Sequence, residues 1–207
     1  MAPMLDHAQK LMPGLFLRTP PLPIPVVLFD LDGTLADFHG KLSADLALIA
    51  SPNDPTFPVV RGQPRPTWFD RRCALITRQP GWYRSLPRYQ PGFELYAMAR
   101  EIGFTTEILT KGPYKNRSAW TQKAEWCDEQ VPGDAVHVVS QKHMHGAILV
   151  DDWVPYGELW LQHHPDGLLV LPAHPWNAGF DHPRAIRYDG INDVEVRERM
   201  ELAWKMT

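Results

Sequence analysis

Six polar residues in four stretches of this chain could do chemistry together: Asp30 and Asp32, Thr110, Lys142, and the pair Asp151 and Asp152. Carboxylates crowded into one place repel each other unless a cation sits among them. Oxygen ligands of this kind suit Mg²⁺, which keeps several waters and usually binds beside a phosphate. A lysine and a threonine hydroxyl would hold phosphate oxygens. An aspartate facing an electrophilic phosphorus can act as nucleophile and form an aspartyl-phosphate. A second carboxylate two residues on can protonate the leaving oxygen and then activate water. The residue types together spell metal-assisted phosphoryl transfer.

The elements that must position these groups are legible around them. Val26–Phe29 is a short apolar run, which fits a strand buried on both faces. Further strands are expected over 104–109, 135–139, 147–150 and 168–171. Helices are expected over 42–50, 67–78, from Pro91-Gly92 to Gly103, over 116–129 and over 191–205. The Pro-rich segment 51–66 reads as loop. Strands alternating with helices predict an α/β fold with a parallel sheet. In such sheets ligands bind at the C-terminal strand edge. Asp30 with Asp32, Thr110, and Asp151 with Asp152 each follow a strand at that edge, and Lys142 can reach it. The stretch 172–177, after the fifth strand, reads as one wall of the same pocket or as a rigid surface loop.

Composition narrows the partners. The chain has 207 residues, which suggests one domain or one domain with an insertion. A formal net charge of −3 argues against binding a nucleic-acid polymer. No apolar run reaches the ~18 residues needed to span a membrane. The first 25 residues lack the basic start and continuous apolar core of a signal peptide. They read as an extended N-terminal arm, and the protein as cytoplasmic. Cys73 and Cys127 have no CxxC spacing and read as free thiols. Nine histidines are present, without a recognisable zinc pattern; His143 and His145 follow Lys142 and are expected to line the phosphate edge. Proline is frequent, at 21 residues, and aromatics make up 11%.

Asp30-Leu31-Asp32-Gly33-Thr34 after Val26–Phe29 resembles the first motif of the haloacid dehalogenase (HAD) superfamily. Thr110, Lys142 and Asp151-Asp152 resemble its second, third and fourth motifs, in order. The resemblance implies a Rossmann-like core with Asp30 as nucleophile and Mg²⁺ ligand. Asp32 would be general acid/base and offer its carbonyl to the metal. Thr110 and Lys142 would hold the phosphoryl group, and Asp151 or Asp152 would complete the metal site. An aspartate at position 32 favours phosphatases within the superfamily. Motifs one and two are 80 positions apart, and motifs two and three only 32. The insertion that chooses substrate would therefore be a small helical cap over 38–87, with the core at 1–37 and 88–207.

Within the superfamily, Asp32-Gly33-Thr34-Leu35-Ala36-Asp37-Phe38 resembles the 5'(3')-deoxyribonucleotidases. So do Trp82–Pro87 and Pro113-Tyr114-Lys115 followed by Ala119-Trp120 and Lys123. Lys111 stands where that group usually has Ser. The implied substrate is a small phosphomonoester, a (deoxy)nucleoside monophosphate. A base stacked on an aromatic gains about 1–3 kcal/mol. Candidate contacts are Phe38, Trp68, Phe69, Trp82 and Tyr83, with Lys111 and Lys115 near the phosphate. Another small phosphomonoester, such as a sugar phosphate, is the alternative substrate. A catalytically silent nucleotide- or partner-binding domain is the alternative role. A homodimer is left open.

Overall fold

Val26–Phe29 forms strand β1, and its side chains explain the layering. Val27 and Phe29 pack to one face and Leu28 to the other, all fully buried. A strand apolar on both sides needs helices on both sides. In the computed structural model, which describes residues 24–206 except 56, 58, 60–62 and 143, that is what surrounds it. All but two residues of the expected N-terminal arm lie outside the described part, as does His143.

Five more strands are β2 (Thr105–Lys111), β3 (Ala135–Val139), β4 (Ile148–Val150), β5 (Leu168–Pro172) and β6 (Ala185–Tyr188). They form one six-stranded sheet in the order β3-β2-β1-β4-β5-β6, every pair parallel. The expected Rossmann-like α/β architecture is thus present. Helices are α1 (Phe38–Leu48), α2 (Thr67–Thr77), α3 (Gln90–Ile102), α4 (Ser118–Gln130), α5 (Val154–His163) and α6 (Asp193–Lys205). The larger core packs α3, α4 and α6 on one sheet face. The smaller packs Trp160 and Leu161 of α5 against Leu28, Leu149 and Leu169 on the other.

Differences from the sequence reading have local causes. Helix α1 starts at Phe38, four residues early, because the Asp37 side chain accepts the Gly40 N–H at 2.8 Å and caps it. Strand β2 runs on to Lys111, pairing Thr110 with Val138, so Thr110 lies within the strand. Helix α5 lies in a stretch to which the sequence pattern assigns no element. Its Pro155 falls in the first turn, where the missing N–H costs nothing. Strand β6 is a short edge strand with a weak pattern. Among the described residues, 38–87 contribute α1 and α2, which pack on each other, and no strand of the sheet.

Candidate active site

The C-terminal edge of the sheet gathers the six residues. Asp30 stays in the sheet through its N–H, which donates to the Val150 carbonyl at 2.8 Å. Its side chain meets the buried Lys142, whose Nζ lies 2.7 Å from Asp30 Oδ1 and 2.6 Å from Asp151 Oδ2. Burial alone would push this ammonium down. The Asp151 and Asp30 carboxylates outweigh burial and hold it above the usual lysine range. Asp151 is also shifted upward, but there burial wins. Burial, helped by the Asp30 charge, raises it despite Lys142 and the Trp153 N–H, which donates to Oδ1 at 2.9 Å.

Asp152 is built in from the far side. Trp176 Nε1 donates to its Oδ2 at 3.0 Å. Asn177 Nδ2 donates to its carbonyl at 3.1 Å, and its own N–H donates to Thr34 Oγ1 at 3.2 Å. Gly33 makes this approach possible. Its φ is +85°, and a Cβ there would sit 2.8 Å from Asp152 Oδ2. On the other side of the loop, Gly92 lets α3 pass so close that a Cβ would overlap the Thr34 carbonyl.

Asp30, Asp151 and Asp152 bring carboxylate oxygens within 4.8 Å of one another. Three buried carboxylates face one buried ammonium, Lys142. That leaves a negative excess in a site with little water, which a hard divalent cation would balance. The donor set is all oxygen, as Mg²⁺ requires.

A second buried lysine completes the site, and the sequence reading did not place it there. Lys123 of α4 is 1% exposed. Its Nζ reaches Asp32 Oδ2 at 2.8 Å, Thr110 Oγ1 at 2.9 Å and the Lys111 carbonyl at 2.9 Å. A signal for it existed. Ala119, Trp126 and Cys127, at i−4, i+3 and i+4, are all buried, so Lys123 sits on the inward face of its helix.

Above Asp32 opens a cavity of about 400 Å³, within the ~300–1,000 Å³ typical of ligand sites. Phe38, His39 and Leu42 of α1, Cys73 and Thr77 of α2, Tyr83, Lys111 and Tyr156 are among its walls. The two helices of 38–87 thus face the sheet edge across it.

The structure divides the seven candidate contact residues. Phe38, Tyr83 and Lys111 border the cavity, with Lys111 Nζ 4.9 Å above the Tyr156 ring. Trp82 is buried behind Phe38, ring to ring at 5.3 Å, and its Nε1 donates to Asp45 at 2.6 Å. Trp68 and Phe69 line a different cavity, between α1 and α2, together with Phe57 and Arg72. Helical geometry turns them there: Trp68, Phe69 and Arg72 centre on one side of α2, while Cys73, Ala74 and Thr77 centre on another and face the site. Lys115 is exposed and borders no part of the Asp32 cavity.

The stretch 172–177 does not wall that cavity. It braces the loops behind it: His174 Nε2 lies 2.7 Å from the Gly33 carbonyl, and Trp176 holds Asp152. His145 corrects the sequence reading. It lies at the opposite end of the sheet, beside Ile24, Ala147 and Gly167, with its ring 4.8 Å from His164. The strand that follows it carries the chain from that end to the site. Both cysteines are free thiols.

No family model matches the chain, and no curated protein does. Solved structures do. A HAD family hydrolase from Deinococcus radiodurans R1, with bound phosphate and sodium, superposes with a TM-score of 0.53 at 16% identity, over 87% of this chain and 96% of that one. A protein described as a haloacid dehalogenase-like hydrolase from Burkholderia xenovorans LB400 superposes with a TM-score of 0.51 at 14% identity, over 89% of this chain and 100% of that one. At such identities the likeness is one of fold: this chain has the sheet and helix arrangement of those hydrolases.

Proposed function

We propose that the protein is a Mg²⁺-dependent phosphatase of the HAD type that hydrolyses 5'-(deoxy)nucleoside monophosphates to nucleoside and phosphate. The observation that carries the reading is the buried cluster Asp30–Lys142–Asp151 with Asp152, set beside Asp32 and Thr110 at one sheet edge. The two similar folds, one described with phosphate bound, support it.

In the reaction, Asp30 attacks phosphorus and the bond from phosphorus to the ester oxygen breaks. Asp32 gives its proton to the departing oxygen. The acyl phosphate on Asp30 is then attacked by water, whose proton returns to Asp32, and inorganic phosphate leaves. Lys142 and the Thr110 hydroxyl hold phosphoryl oxygens throughout. Mg²⁺, when bound, supplies positive charge to the phosphoryl group. Asp30, the Asp32 carbonyl and Asp152 would hold it.

The nucleotide assignment rests on the cavity. Phe38 and Tyr83 offer flat faces above Asp32 and Lys111 offers a cation. A panel of all ribo- and deoxynucleoside monophosphates and several sugar phosphates, with Mg²⁺ and phosphate release as readout, tests it. At least one nucleotide is expected to be turned over more efficiently than any sugar phosphate. If none exceeds a generic aryl phosphate, the nucleotide assignment is wrong. Phe38→Ala is expected to raise KM for the best nucleotide about tenfold while changing kcat little, since a lost stacking contact is worth about 1–3 kcal/mol.

A further inference from the structure

Lysine is among the residues least often fully buried, and burial is tolerated when its charge is paired and its donors are used. Lys123 meets that condition through the site itself. An ammonium has three N–H donors. Its three acceptors here are Asp32 Oδ2, Thr110 Oγ1 and the Lys111 carbonyl, all at 2.8–2.9 Å. The Tyr83 ring lies 5.7 Å from the same Nζ. The mechanism above uses Asp32 and Thr110 but gives Lys123 no task.

The geometry asks for one. Asp32 is the more exposed of the two loop carboxylates, with its side chain 15% exposed against 5% for Asp30. Oδ2 is fixed by Lys123, and Oδ1, itself buried, has no hydrogen-bond partner among the described residues. A general acid must keep its proton-bearing oxygen within hydrogen-bond reach of the leaving group. An ammonium bound to one oxygen fixes the orientation of the whole carboxyl. The same ammonium fixes the Thr110 hydroxyl as acceptor toward Nζ, so its O–H is free to point at a phosphoryl oxygen. Helix α4, strand β2 and the β1 loop are thereby tied at one atom.

We infer that Lys123 is a positioning residue that orients the Asp32 carboxyl toward the leaving oxygen and the Thr110 hydroxyl toward the phosphoryl group. This rests on the phosphatase reading, with Asp32 as general acid.

Leaving-group dependence tests it. An alkyl phosphate needs a proton at the departing oxygen, whereas p-nitrophenyl phosphate leaves as a stable anion. The holoenzyme with Mg²⁺ is assayed on both substrates as wild type, Lys123→Met, Lys123→Gln, Asp32→Asn and the double variant K123M/D32N. For K123M, kcat on the alkyl phosphate is expected to fall about 100-fold, the lower end of what a positioned acid contributes. On the aryl phosphate it is expected to fall less than tenfold. K123Q, which keeps an N–H donor, is expected to lie between wild type and K123M. Adding K123M to D32N should leave the gap between substrates unchanged, because the acid it aims is gone. An equal loss on both substrates in K123M, with D32N still showing the gap, overturns the inference and leaves the phosphatase reading intact. No gap in D32N overturns Asp32 as acid. If K123M does not fold, as judged by circular dichroism, the same comparison is made with K123Q. There, equal loss on both substrates overturns the inference.

Discussion

Asp30 and Asp151 share one lysine, and that sharing separates their roles. Lys142 takes Oδ2 of Asp151 and the Trp153 N–H takes Oδ1. Both oxygens of Asp151 are therefore engaged by protein donors. Asp152 has Oδ2 held by Trp176 and lies against Gly33 in the nucleophile loop. Under the proposed function, Asp152 would therefore be the direct metal ligand of the adjacent pair, with Asp151 holding Lys142 in place. Asp152→Ala is expected to abolish Mg²⁺ binding in a calorimetric titration. Asp151→Asn is expected to weaken it about 10- to 100-fold, the usual cost of losing a supporting group. The reverse order would exchange the two roles. Asp30→Asn is expected to remove phosphomonoester turnover, measured as phosphate release, while near-wild-type turnover would exclude the covalent route. Asp30, Asp32, Thr110, Lys142 and Asp151-Asp152 were legible in the sequence because each is tied to a strand, and parallel strands deliver their ends to one edge. Lys123 was not, because its partners lie 12 to 91 positions away and only the helix facing joins them. Trp68 and Phe69 misled for the same reason: closeness in sequence to a cap says nothing about which side a helix turns.

Loops between elements decide how the site is held. The segment after β5 binds two loops at once, through His174 to Gly33 and through Trp176 and Asn177 to Asp152. The Gly33 carbonyl can only accept, so His174 Nε2 carries a proton. The same side chain accepts the Asn177 N–H. His174 is thus a neutral imidazole, stacked between Tyr89 at 4.9 Å and Trp176 at 4.1 Å. Burial holds it below the ordinary value of 6.5, against the Gly33 carbonyl and Asp37, which favour the charged form. A lowered histidine takes its proton more readily unfolded than folded. Above about pH 6.5 both forms are neutral and nothing is lost; below it, stability falls as pH falls. Urea midpoints at pH 7.5 and pH 5.5 are expected to differ more for wild type than for His174→Gln. Equal differences would mean that His174 does not resist protonation. None of this brace was readable as such from Pro172–Asn177, because stacking on Tyr89 joins parts of the chain that the sequence keeps far apart. Helix α5 and strand β6 were missed for a nearer cause, a proline in a first turn and a short edge strand, where local pattern is weakest.

At the scale of the molecule, a formal charge of −3 and a strongly anionic site coexist because charge is handled locally. Two buried lysines, Lys142 and Lys123, answer four aspartates at the sheet edge. The fold carries the remaining negative charge as a destabilising load, since like charges in a dry site repel. The proline and aromatic excess of the sequence divides between jobs. Trp82, Tyr83, Leu86 and Trp126 join the 38–87 segment to the core, and Trp126 Nε1 donates to the Leu86 carbonyl at 2.7 Å. That joint packs the 38–87 segment onto the core, and in the proposed function a bound cation would relieve the charge. Ligand binding to the folded form adds about 2.7 kcal/mol at one hundred times Kd. For a chain of this size each kcal/mol moves Tm by roughly 2–4 °C. Mg²⁺ at that excess is therefore expected to raise Tm by about 5–10 °C in a calorimetric scan, and Asp152→Ala to remove the increase. Asp152→Ala without metal is expected to melt no lower than metal-free wild type, because it discards one of the repelling carboxylates. A metal-free variant that melts well below wild type would show instead that Trp176, Asn177 and Asp152 hold the sheet edge together by their hydrogen bonds more than the crowded charge pushes it apart.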